Sequence, residues 1–313
     1  MTAITPAEPW TVKPPGIVSF TAYIRSAPTF DLVSLFTAAL LCFYAGSDWY
    51  ISVPIRAICL LAIFFSSIRS DPRFWCACVS LLGAYNFVNW EVIDNHKYLM
   101  WYWTVGIFGV SLLTPDKRDQ AIALLGRLLI GLCFFFAVVA KLLSGEFLQG
   151  DFFYFTILED SRFAPVAFLI ADLQVAEVHG YVAGLTDLKM DFLYGIDLES
   201  VSVPDSDLLV QICQFMTVWT LLIESLIAVA FLWPGSWRWL MYIRAGSILV
   251  FMLSTYSIAL VSGFAWLLGV MALAQVARDF GRGRVIFIFF LCIVVEVFKL
   301  PYFEVYYFFF GHG

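Results

Sequence analysis

Charge is what this sequence has least of. Only 13% of its 313 residues are Asp, Glu, Lys or Arg, about half the ~25% of an ordinary soluble domain. By contrast 62% are hydrophobic and 18% aromatic, and the mean hydropathy is +0.87. So little charge cannot clothe the surface of a water-soluble chain of this length, and so much apolar side chain excludes disorder. Cations are the scarcer sign: 18 Lys and Arg against 24 Asp and Glu leave a net charge of −6. With no basic patch to neutralise phosphates, nucleic acid is excluded as a partner. Only three histidines occur, at 96, 179 and 312. Of the seven cysteines, Cys76 and Cys78 form a CxC, but no second pair or nearby histidine completes a zinc set. The cysteines lie in apolar runs, where they act as small hydrophobes, and no metal site is expected. The opening MTAITPAEPWTVKPPG lacks the apolar stretch of a signal peptide. The first membrane helix is therefore expected to do the targeting.

What the sequence has in quantity is long apolar runs. A crossing helix needs about 20 mostly apolar residues. That ruler predicts an all-α, polytopic membrane bundle of about nine helices: 31–47, 50–68, 74–90, 97–114, 119–143, 208–233, 238–260, 262–278 and 284–303. Lys and Arg collect in alternate connections: Lys13 and Arg25, then Arg69 and Arg73, Lys117 and Arg118, Arg238, and finally Arg278, Arg282 and Arg284. By the positive-inside rule this places the N-terminus inside and the C-terminus outside, in the cell membrane. Residues 1–30 read as a cytoplasmic segment and 31–313 as one transmembrane domain, without repeats or Gly/Ser linkers. Its one sizeable extramembrane piece, 144–207, carries twelve Asp/Glu against Arg162 and Lys189, a net formal charge of −10. This acidic loop is expected outside. Within it PVAFLIADLQV (165–175) is apolar but too short to span, which predicts an interfacial or re-entrant helix.

Ionisable groups at membrane depth mark either function or helix pairing. Arg127 and Lys141 bracket the run LLIGLCFFFAVVA on one face of the fifth predicted span. Arg127 reads as snorkelling to the inner surface, whereas Lys141 stands at the outer end, where charge bias disfavours lysine. In the sixth span Gln211, Gln214, Thr217, Glu224 and Ser225 form a polar stripe, matched in the seventh by Arg244, Ser247, Ser254 and Thr255. Glu224 needs a partner, and Arg244 on the neighbouring span is a candidate. The stripes read either as interhelical glue or as the lining of a cavity. His96, beside Asn95 and near Trp90, opens the fourth span on the outer side. An antiparallel hairpin could bring it to Lys141.

Two stretches add a resemblance. Asn95-His96-Lys97-Tyr98-Leu99, opening a Trp-rich span, resembles the Asn-His-x-Tyr-Leu element of vitamin K-dependent gamma-carboxylases and their bacterial HTTM relatives. FFFAVVAKLLSGEFLQGDFF (134–153) resembles the family's lysine segment, with Lys141 at the catalytic lysine, Phe147 for the usual Trp and Gly150 for the closing Gly. The resemblance implies a reduced, vitamin K-like quinone as cofactor, Lys141 as general base, and His96, held by Asn95, bonding the quinone oxygen. Trp90, Trp101, Trp103 and Phe147 would then wall the ring. The carboxylases carry a further histidine in a later span, where ILVFMLSTYSIALVSGFAW has none.

Two functions are therefore open. One is an enzyme of quinone-linked base chemistry that modifies a peptide or small molecule. The other is a non-catalytic membrane module, either a permeation pathway or an assembly factor, whose acidic loop docks a secreted peptide or partner protein.

Overall fold

In the computed structural model the described residues are 17–46, 48–194, 203–204, 206–235, 237–279, 283–297 and 299–300. They are all-α, with no strand among them. The helices are α1 (Ile17–Ser26), α2 (Thr29–Tyr44), α3 (Trp49–Phe64), α4 (Ser66–Ser70), α5 (Pro72–Val88), α6 (Asn95–Ser111) and α7 (Pro115–Leu143). After them come α8 (Gly145–Gln149), α9 (Asp151–Glu159), a 3-10 turn (Ser161–Phe163), a π turn (Val166–Ile170) and α10 (Val175–Tyr194). The chain then continues through α11 (Asp207–Leu232), α12 (Arg238–Tyr256), α13 (Ser262–Asp279) and α14 (Gly283–Val297). A helix occupies each apolar stretch marked in the sequence, although 298 and 301–303 of the last stretch lie outside the described residues. By length and composition α7, α11 and α12 can cross a membrane; α2 and α3 are apolar but only 16 residues each.

Local chemistry sets many of the boundaries. Pro72 and Pro115 stand in the first turns of α5 and α7, where a missing N–H costs nothing. Asp71 and Ser206 cap α5 and α11 by accepting from Arg73 N and Leu209 N. Other helix ends are satisfied from a distance. The Asp119 carboxylate on α7 accepts from Thr29 N and Phe30 N at 3.0 and 2.8 Å, closing the start of α2.

Two hydrophobic cores result. The larger draws on α1–α3, α5–α7 and α11–α14, around fully buried Trp75, Trp103 and Phe231. Trp103 Nε1 donates to Thr37 Oγ1 at 3.0 Å, tying α6 to α2. At Gly126 the helices α7 and α13 approach so closely that a Cβ would meet the Met271 carbonyl oxygen at 2.6 Å. The smaller core joins α8, α9, the two turns and α10 to the first part of α11, through Phe147, Phe153, Ile157, Phe163, Leu209 and Cys213 among others. We refer to it as the cap.

Along α11 the chain runs as a broken antiparallel rod. Gly131 faces Leu232, Lys141 meets Glu224, the Phe147 carbonyl accepts from Thr217, and Gly150 faces Cys213. The breaks fall at Ser144 and at Gly150, whose φ of 92° lies in the left-handed region that glycine tolerates. The helix expected over 165–175 is in fact a π turn, halted at Asp172 with φ 53° before α10 begins.

Candidate functional site

Lys141 and Glu224 are the two ionisable groups that the α7–α11 pairing brings face to face. Lys141 Nζ lies 2.6 Å from both carboxylate oxygens of Glu224. The glutamate side chain is only 8% exposed and the lysine 23%, so the pair is shielded yet reachable from the lysine side. Charge-assisted bonds of this length are the strong ones, and a shared site out of water requires such pairing. The ring of Phe147 covers the ammonium at 5.4 Å from its centroid, a cation–π contact. Phe147 is itself buried and packs on Phe152 and Phe153 at 5.6 and 5.5 Å.

The register puts this pair deep in the protein. Glu224 stands 17 residues into α11, about 26 Å from its start at 1.5 Å per residue. Lys141 is near the end of α7, but the rod continues past it as α8 and α9. Below the pair, Phe134 of α7 packs edge-on against Phe251 of α12 at 5.0 Å, and Phe251 against Tyr256 at 5.9 Å. The Tyr256 hydroxyl is buried with no hydrogen-bond partner among the described residues.

The other residues singled out in the sequence have separate engagements. His96 places its ring 6.2 Å from that of Phe264 and its Nε2 3.8 Å from Asp94; no hydrogen bond or ion pair joins it to Lys141. Asn95 is exposed at the first residue of α6, and Trp90 is 66% exposed. Trp101 donates to the Val79 carbonyl on α5, and Trp103 to Thr37 on α2, so both serve helix packing. Gln211 and Gln214 are exposed on α11.

Arg244 is buried but does not pair with Glu224. Its guanidinium donates to the carbonyls of Ala230, Trp233 and Gly235 at 2.9, 2.7 and 3.2 Å, capping the C-terminal end of α11. The physical reason is level: Arg244 meets the far end of α11, while Glu224 lies two turns up. The sequence offered one signal for the true pair, since Lys141 and Glu224 are opposite charges within the two more apolar of the long helices α7, α11 and α12. What it lacked was the register between residues 83 positions apart. Tyr256 carried no sequence signal, because it reads as ordinary apolar filling. Compared with known proteins, the chain matches no family model, no curated protein and no solved structure.

Proposed function

We propose that this is a multi-pass protein of the cell membrane, with about nine spans, its N-terminus inside and its C-terminus and cap outside. In it Lys141 and Glu224 form a proton-accepting centre that acts on a reduced quinone drawn from the bilayer. The observation that carries this reading is the Lys141–Glu224 contact itself, at 2.6 Å between two helices apolar enough to span. The resemblance of the segments around Asn95 and Lys141 to the gamma-carboxylase and HTTM proteins supports the same chemistry.

With the cap outside, Glu224 lies eight residues from the inner end of α11, about 12 Å into a hydrocarbon layer of about 30 Å. Such a site is dry, and each charge is tolerated because the other neutralises it. One proton is held between Nζ and the two carboxylate oxygens. Its passage from Nζ to Glu224 converts the ion pair into a neutral amine beside a carboxylic acid. The amine can then take a proton from a substrate hydroxyl: the O–H bond breaks, an N–H bond forms, and the new ammonium faces the charge left on oxygen. A reduced quinone, when bound, supplies that acidic hydroxyl. Toward a flat, oxygen-bearing ring the pair presents the partly exposed Lys141, with the buried Phe147 ring beside Nζ. His96, which the resemblance assigns to the quinone oxygen, lies against Asp94 and Phe264, and the partner of Lys141 is Glu224.

The test is oxygen uptake by purified protein supplied with a reduced naphthoquinone. Wild type should accelerate it, and K141R should not. Arginine can keep the contact to Glu224 and hence the fold, but its guanidinium stays charged and cannot accept a proton. Full activity in K141R, or none in wild type, defeats the proposal and leaves the pair as a helix tie.

A further inference from the structure

The cap contains a cavity of about 440 Å³, within the ~300–1,000 Å³ typical of ligand pockets. α9 and the two turns form one side of it and α10 the other. Its wall is apolar: Ile157, Leu158 and Phe168 stand beside Ala164, Ala167, Val178, Val182 and Ala183, whose small side chains leave space between the helices. Its rim is polar, with Glu159, Asp160, Ser161 and His179.

The rim charges are not equivalent. Asp160 is consumed, because its carboxylate accepts from the Arg162 guanidinium at 2.9–3.0 Å and from Arg162 N at 3.0 Å. Glu159 is exposed and makes no hydrogen bond or ion pair among the described residues. The uncompensated charge at the mouth is therefore negative, and it sits directly over an apolar wall.

We propose that this cavity binds a basic side chain of a cationic amphipathic peptide, its charged head against Glu159 and its stem and apolar neighbours on the Ala/Val wall. Lysine and arginine have this division, an aliphatic stem ending in a charge. The surrounding segment, with its net −10, attracts a multiply cationic chain over long range and repels an acidic one. An uncharged or anionic occupant would desolvate Glu159 with nothing in return. The inference goes beyond the chemistry proposed at Lys141 and Glu224 and shares no residue with it.

The test uses the full chain in phosphatidylcholine nanodiscs, which bring no anionic lipid of their own. A fluorescein-labelled Lys/Leu peptide is titrated and its anisotropy followed, with a Glu/Leu peptide as control. Saturable binding is expected for the first and none for the second. E159Q and A183W should each weaken it about tenfold, ~1.4 kcal/mol in binding free energy. Both positions are exposed, so neither change threatens the fold, and E159Q decides the matter alone if A183W misfolds. Unchanged affinity in E159Q overturns the proposal, as does equal binding to empty nanodiscs. Full displacement by n-octylamine at the concentrations at which the peptide binds would make this a site for simple amines, which also overturns it.

Discussion

The bundle and the cap solve the same packing problem with different means. In the bundle, helices of 10–29 residues bury large side chains against one another, and distant polar groups close the ends: Asp119 for α2 and Arg244 for α11. In the cap, helices of five and nine residues stop and restart at Ser144, Gly150 and Asp160, and the closing groups are local. Ser144 accepts from Phe147 N, and Asp160 from Arg162 N. Helices this short have little stability of their own, so the cap depends on the first part of α11 that it covers. Both regions thus share α11, and Lys141–Glu224 lies where one gives way to the other. The difference separates what a perturbation should do: changes in the bundle should act globally, and changes in the cap should act locally.

The largest effect expected is from breaking the shared joint. Lys141→Ala leaves the buried Glu224 carboxylate without its counter-charge, at a cost of about 3–5 kcal/mol. The loss at a helix end would be slight if packing alone were at stake; the ion pair makes it large. The double change Lys141→Met with Glu224→Leu should recover most of that stability, because apolar pairs replace buried ion pairs at little cost. Thermal unfolding of wild type and the two variants in one detergent checks this. Equal destabilisation by the single and double changes would show that the pair contributes through packing and not charge.

A smaller effect, confined to the cap, is expected at Gly150. Valine there must adopt φ near 92°, a strain of about 1–3 kcal/mol. Limited proteolysis should cut faster within 144–207 while the midpoint of global unfolding moves little. If the whole molecule unfolds earlier instead, the two cores are one cooperative unit.

The smallest effect concerns pH. The Arg162 guanidinium beside Asp160 holds its carboxyl below the usual carboxylate range. Such a group stabilises the folded cap above the unfolded-state value of about 3.9. That contribution is lost as pH falls through the lower folded-state value. The pair is partly exposed, 25% at Asp160 and 51% at Arg162, so about 0.2–1 kcal/mol is expected. Asp160→Asn should remove this acid sensitivity from the proteolysis rate of the cap and leave that of the bundle unchanged.

What could be read without a structure was whatever local pattern decides. Apolar runs near the length of a membrane crossing located α2, α3, α5–α7 and α11–α14. Composition marked the chain as apolar, and the length of its apolar runs marked it as helical. In the cap the same reading was weakest. α10 has mixed polarity along its 20 residues and follows no spanning pattern, and the stops at Gly150 and Asp172 depend on backbone angles that residue type permits but does not compel. Lys141, Phe147 and Glu224 were each conspicuous as residues, yet their meeting depended on how far α7 slides along α11. Helical periodicity determines which face a side chain occupies; it says nothing about the depth at which two faces align. That depth came from the packing of Gly131 on Leu232 and Gly150 on Cys213, contacts between segments far apart in the chain. The sequence by itself therefore determined the helices and the charges they carry. Only the tertiary structure decided that Glu224 pairs with Lys141 rather than Arg244, because pairing in a dry interior is set by register, and register is a property of the whole interface.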